Sequence, residues 1–199
     1  MQLLDYLTIE QKTKYLKYRE YKINQIVFDE QAYCDYLGIV IEGEILIKTY
    51  TYYGKEETIT LVKEQDLFGQ FLLFASEPFY LGIGITKRKT KIAVIKKDAL
   101  LNLFRENPQF LECYLNKICS ESLKIKQQAK LLAHKNIRDR IMYYFKLHQK
   151  DHIVTITSVT DFASSLSIPR PSLSRELIRM EQEGLIKKIN KQIYIKTII

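Results

Sequence analysis

Two prolines, Pro169 and Pro171, do most to restrict how this chain can fold. Proline lacks an N–H, so it breaks a helix interior but is tolerated in a first turn, where N–H groups have no intrahelical partner. Beyond them Leu173, Leu177 and Met180 recur at spacings of four and three, which places them on one helical face. A helix is therefore expected to start just before Pro169, with Ser167 or Ile168 near its cap, and to end at Gly184 as a C-cap glycine. Residues 157–188 then read as two short helices around a tight turn that holds Leu166 and Ile168. Arg170, Ser172, Ser174, Arg175 and Arg179 lie off the apolar face. An ordinary amphipathic helix with a solvated side has this pattern, and so does a helix that enters the major groove of DNA.

Charge favours the groove. The 199 residues carry a formal charge of +8. From Lys135 onward there are twelve Lys or Arg against six Asp or Glu, so six of the eight surplus charges sit in the C-terminal third. That concentration points to a polyanionic partner, where a lysine-rich genome would spread the charge evenly. Cys34, Cys113 and Cys119 form no C-x-x-C pair and have no histidine at zinc spacing, so no metal site is expected. An odd, sparse cysteine count suits a reducing compartment. No signal peptide or apolar run of about 20 residues is visible, so a cytoplasmic location without a membrane contact is expected.

In chain order, residues 1–22 look helical and polar. Short β-rich segments follow at 26–28, 37–41, 44–51, 58–62, 83–86 and 91–95, with Gly43 and Gly54 at turns between them. Such spacing suits a sandwich or small barrel. Helical character resumes near Asp98, and Asn107-Pro108 opens a long helix that reaches about Ala133. Leu111, Leu115, Ile118, Ser122, Ile125, Ala129 and Leu132 form a heptad seam on it. A helix of about 40 Å that is polar away from a narrow seam suits a second copy of the chain as its partner. A core helix packed on its own domain has a similar pattern. Ser122 and Ala129 weaken the seam, so the β domain is expected to add contacts. A hinge is expected over 135–139, then a helix over 137–147 and a strand over 153–156. After the two short helices, a hairpin around Asn190-Lys191 reads as a wing, with Lys187, Lys188 and Lys191 near phosphates.

A β-roll, a long heptad helix and a winged helix-turn-helix, in this order, resemble the Crp/Fnr family of bacterial transcription regulators over nearly the whole chain. The resemblance rests on IEGEILI at 41–47, Gly54, EQDLFGQ at 64–70, Asn107-Pro108 and RPSLSRELIRMEQEGLI at 170–186. It implies an α+β chain with a cyclic-nucleotide-binding-like jelly roll at 1–106, a dimerisation helix at 107–134 and a DNA-binding domain at 135–199. It also implies a homodimer on an inverted-repeat site of double-stranded DNA, with RNA polymerase as a further partner. The family's paired arginines map onto Arg170 and Arg175. Many members have glutamate after the first, reading a cytosine; Pro171 stands there and has no side-chain hydrogen bond to give.

The ligand motifs depart from the family pattern. Cyclic-nucleotide binders have Gly-Glu-Leu and a downstream Arg-Ser, where this chain has Gly69-Gln70-Phe71 and Tyr80-Leu81. A cyclic phosphate buried without a cation is costly, so cyclic AMP is not the expected ligand. Three unclustered cysteines do not suit an iron–sulfur cluster. An effector pocket, if the chain uses one, falls at Gln70, Phe71, Tyr80, Leu81, Ile125 and Lys126, and the same residues could equally be core. No catalytic residues are expected, since the first histidine is His134 and cupin-like metal chemistry needs several within strands. The competing reading is a ligand-sensing β-roll interaction module that lacks specific DNA binding.

Overall fold

Ile, Val and Thr, which predict strands between residues 26 and 95, build two antiparallel sheets. The computed structural model describes residues 2–196, in two units, Met1–Ser120 and Glu121–Ile199. The first opens with a 3-10 turn and α1 (Ile9–Tyr15). Thr8 caps α1, its Oγ1 accepting from Gln11 N while Gln11 Oε1 accepts from Thr8 N. Residues 1–22 are not helical throughout: α1 ends at the buried Leu16, and Lys17–Tyr21 forms strand β1. Four of its five residues are exposed, so it has no apolar alternation to betray it. Its place comes from backbone pairing with β8.

The strands that follow are β2 (Ile26–Phe28), β3 (Tyr36–Glu42), β4 (Ile45–Tyr50), β5 (Glu56–Val62), β6 (Leu67–Phe68), β7 (Ile83–Thr86) and β8 (Thr90–Lys96). The sheets run β1-β8-β3-β6 and β2-β7-β4-β5. Leu37, Ile39, Ile45, Ile92 and Ile95 fill the interior. Gly38 is required there, because a Cβ would fall 2.0 Å from Cζ of Phe68. Gly54, at φ +75°, turns the β4–β5 hairpin.

Helices α2 (Lys97–Glu106) and α3 (Pro108–Ala133) follow. Asn107 Oδ1 accepts from Phe110 N at 3.0 Å, so Asn-Pro opens α3 with a side-chain cap and a proline in its first turn. Phe110 and Tyr114 are buried against the roll. The helix starts in the first unit and ends in the second.

The second unit continues through α4 (Ile137–His148), β9 (Ile153–Thr155), α5 (Val159–Ser165), α6 (Arg170–Gln182), β10 (Ile186–Ile189) and β11 (Gln192–Ile195). The strands form one sheet in the order β10-β11-β9. Ile141, Phe145, Leu166, Leu173, Met180 and Ile193 form its core. The α+β class and the order of roll, long helix and winged helix-turn-helix are those expected. One boundary differs. Helix α6 starts after Pro169, not before it: Pro169 is the N-cap, and Pro171 lies in the first turn. An N-cap contributes a carbonyl, and Pro169 O accepts from Ser172 N at 2.9 Å and Leu173 N at 3.1 Å. That role needs no N–H.

Candidate nucleic-acid interface

Two short helices need a tight reversal between them. Ser158 Oγ caps α5 by accepting from Asp161 N at 3.0 Å. After α5 the backbone turns at Ser167, whose φ of +52° is left-handed. Ile168 N then donates to Ala163 O at 3.0 Å, closing the turn, and Leu166 and Ile168 are buried beneath it.

On α6 the apolar face falls where its spacing puts it: Leu173, Leu177 and Met180 are buried. Arg170, Arg175 and Arg179 are exposed, and Ser172 and Ser174 are half-buried beside them. A ladder of guanidinium and hydroxyl groups thus lies away from the core. Lys187 and Lys191 are exposed on the β10–β11 hairpin, and Lys188 is half-buried. Asn190, at φ +55°, turns that hairpin. It is tied to α6 by a bond from Lys188 N to Glu181 Oε1 at 2.9 Å.

Several positioning residues have no signal in the linear sequence. Arg138 on α4 donates from Nη1 and Nη2 to the Glu183 carboxylate at 2.7 and 2.8 Å, and from Nε to Glu176 at 2.6 Å. This fork fixes α4 against α6. The hydrogen-bonded Arg138 guanidinium holds the Glu183 carboxyl below its ordinary range. Arg140 gathers backbone carbonyls instead. Its Nε donates to His134 O at 2.9 Å, Nη2 to Leu132 O at 3.4 Å and Nη1 to Ser167 O at 3.4 Å. One side chain therefore binds the last turn of α3, the linker and the helix-turn-helix reversal. The linker's Asn136 caps α4 by accepting from Asp139 N at 2.7 Å.

Comparison with known proteins agrees with this architecture. The family model of the cyclic nucleotide-binding domain matches residues 18–107, the roll and α2. The catabolite activator protein of Thermus thermophilus aligns over 98% of this chain and 93% of its own at 18% identity, with a TM-score of 0.56. A cysteine-to-serine variant of CprK, complexed with OCPA, aligns over 98% of this chain and 89% of its own at 14% identity, with a TM-score of 0.61. The chain shares the fold of these proteins. A transcriptional regulator of Thermotoga maritima aligns over 64% of this chain and 98% of its own, at 18% identity and a TM-score of 0.59. No curated protein matches the sequence.

The remaining expected residues lie on the roll and on α3. Gln70 is half-buried, Phe71 is exposed and Leu81 is 73% exposed. Tyr80 is buried, its ring stacked on Phe28 with centroids 3.9 Å apart. Burial, with the Cys34 thiol alongside, pushes the Tyr80 phenol far above its usual range. Burial likewise pushes the Tyr36 phenol up to about 12. These groups stay protonated and neutral, and they offer an anion no cation. Ile125 and Lys126 are exposed on the part of α3 that belongs to the second unit. Along the seam, Leu115, Ile125, Ala129 and Leu132 are exposed, while Leu111, Ile118 and Ser122 are half-buried. Ile118 packs against the roll core, so the seam serves its own domain at that point. Among the described residues no group of His, Cys, Asp and Glu could hold a metal ion, and no helix is long and apolar enough to cross a membrane.

Proposed function

We propose that this chain is a sequence-specific, DNA-binding transcription regulator that acts as a homodimer on an inverted-repeat site. The observation that carries the reading is α6. Arg175 and Arg179 are exposed on the side away from the buried Leu173, Leu177 and Met180, Arg170 is exposed at the helix's N-terminal end, and Ser172 and Ser174 are half-buried on its flanks. Arg175 reads a guanine through O6 and N7, the commonest arginine–base contact. Arg170 and Arg179 flank it on base or phosphate, with Ser172 and Ser174 beside them. Lys187, Lys188 and Lys191 contact phosphates from the wing. The exposed apolar side chains of α3, among them Leu115, Ile125 and Leu132, support pairing with the same helix of a second chain. Two recognition helices then address grooves about 34 Å apart.

The roll does not fit a cyclic nucleotide. Gln70 has no carboxylate for a ribose, and Tyr80-Leu81 puts a core tyrosine and an exposed leucine where an Arg-Ser pair would meet the phosphate. Any effector that the roll takes would carry no full negative charge and would act on the linker around Lys135 and Asn136. RNA polymerase is the further partner of the bound dimer.

Selection of bound duplexes from a random pool, with and without cell extract, tests the reading. The expected product is a palindrome whose affinity falls steeply with salt yet exceeds that for random DNA. Absence of any binding at low salt, in both arms, would overturn it.

A further inference from the structure

Helix α6 carries an aliphatic side chain where a groove-facing helix has no structural use for one. Ile178 is 55% exposed and belongs to neither hydrophobic core. At 3.6 residues per turn it falls in the row opposite Leu173, Leu177 and Met180, together with Arg175 one turn before it and Gln182 one turn after. Its inner flank joins Leu177 and Val159 in the wall of a shallow cavity of about 140 Å³. Arg175 and Arg179 are both exposed beside it, while Glu181, which lines the same cavity with Ser174 and Lys188, accepts from Lys188 N. The two exposed guanidinium groups fit a duplex better than an apolar protein surface.

We propose that Ile178 reads a base, by packing on the C5-methyl of a thymine in each half-site, beside the base pair read by Arg175. The inference rests on the DNA-binding reading above. Thymine is the one base that displays a methyl group in the major groove, and an aliphatic side chain is the chemistry that recognises it. Three helical residues advance about 4.5 Å, close to the roughly 3.4 Å step between base pairs, so the thymine neighbours the guanine. The methyl closes against Ile178 and leaves water, which an alanine there would not achieve.

The test uses the full-length chain and the selected palindrome. Each thymine of a half-site is replaced singly by deoxyuridine, which removes only the methyl. The wild-type protein is expected to lose about fourfold in affinity at one position per half-site, the worth of one methyl taken from water. Ile178→Ala is expected to bind the thymine and uracil duplexes equally while keeping its preference for the guanine. Uracil tolerated at every position, a half-site with no thymine beside that guanine, or an Ile178→Ala protein that keeps the wild-type thymine preference would each overturn the proposal. A selection that yields no preferred sequence overturns the DNA reading instead, so the two failures are distinct. Ile178 is exposed, and an unchanged thermal melt of the variant confirms that its fold is intact.

Discussion

Arg138 grips Glu183 through two parallel hydrogen bonds of 2.7 and 2.8 Å, and so holds the C-terminal end of α6 on α4. The Arg138 guanidinium holds the Glu183 carboxyl below its ordinary value of 4.5. A carboxyl whose folded-state pKa is depressed stabilises the fold above its unfolded pKa, and that stability is lost as pH falls through the folded value. Wild-type melting temperature should therefore drop more steeply below pH about 4.5 than that of Glu183→Gln. Because the pair is exposed, the difference should shrink in high salt. Melts across this pH range at two salt concentrations check it.

Leu173→Ala should destabilise the second unit by about 2–5 kcal/mol, because it empties a fully buried position between α6 and its neighbours. Denaturant unfolding monitored in that unit measures the loss. The roll, with a separate core, should keep its own transition.

Arg140→Ala should free the carbonyls of Leu132, His134 and Ser167 from their common donor. Amide exchange should speed up around Ser167 and protease cleavage should rise near Lys135, with the roll unaffected. Arg140→Lys should recover only part of the protection, because an ammonium lacks the planar fork that reaches several carbonyls at once.

Gly38→Ala should weaken the roll by about 1–3 kcal/mol or more, since the added methyl would fall 2.0 Å from Cζ of Phe68. Gly54→Ala meets no atom within 4 Å and acts only through the strain of its φ of +75°. The first variant should unfold at markedly lower denaturant concentration than the second.

Arg175→Ala should cost about 1–3 kcal/mol on the selected site and relax its sequence preference, whereas Lys191→Ala should weaken all duplexes alike and lower the salt slope by about one. Equal loss on specific and random DNA for Arg175→Ala would remove its base-reading role.

Much of this fold is legible in the linear sequence because its elements carry their own periodicity. Leu173, Leu177 and Met180 mark the buried side of α6 without reference to any other segment, and the β-branched runs mark β2 to β5, β7 and β8. Strand β1 has no such mark, since its register comes from β8 and its side chains face water. The two-residue β6 is too short to show any period. The start of α6 is misread because a proline can serve as a cap through its carbonyl, a use that its missing N–H does not advertise. Arg138 and Arg140 act across 38 and 27 positions, so their partners become apparent only once the chain has folded.

The bond from Lys188 N to Glu181 makes the wing and the recognition helix a single caliper. Its jaws are α6, which carries Arg175, and the hairpin, which carries Lys187, Lys188 and Lys191, and under the proposed DNA binding both would meet one duplex. A duplex whose groove is too narrow or too wide then cannot satisfy both jaws. Under the proposed DNA binding, groove width would then contribute to selection at base pairs the chain does not touch.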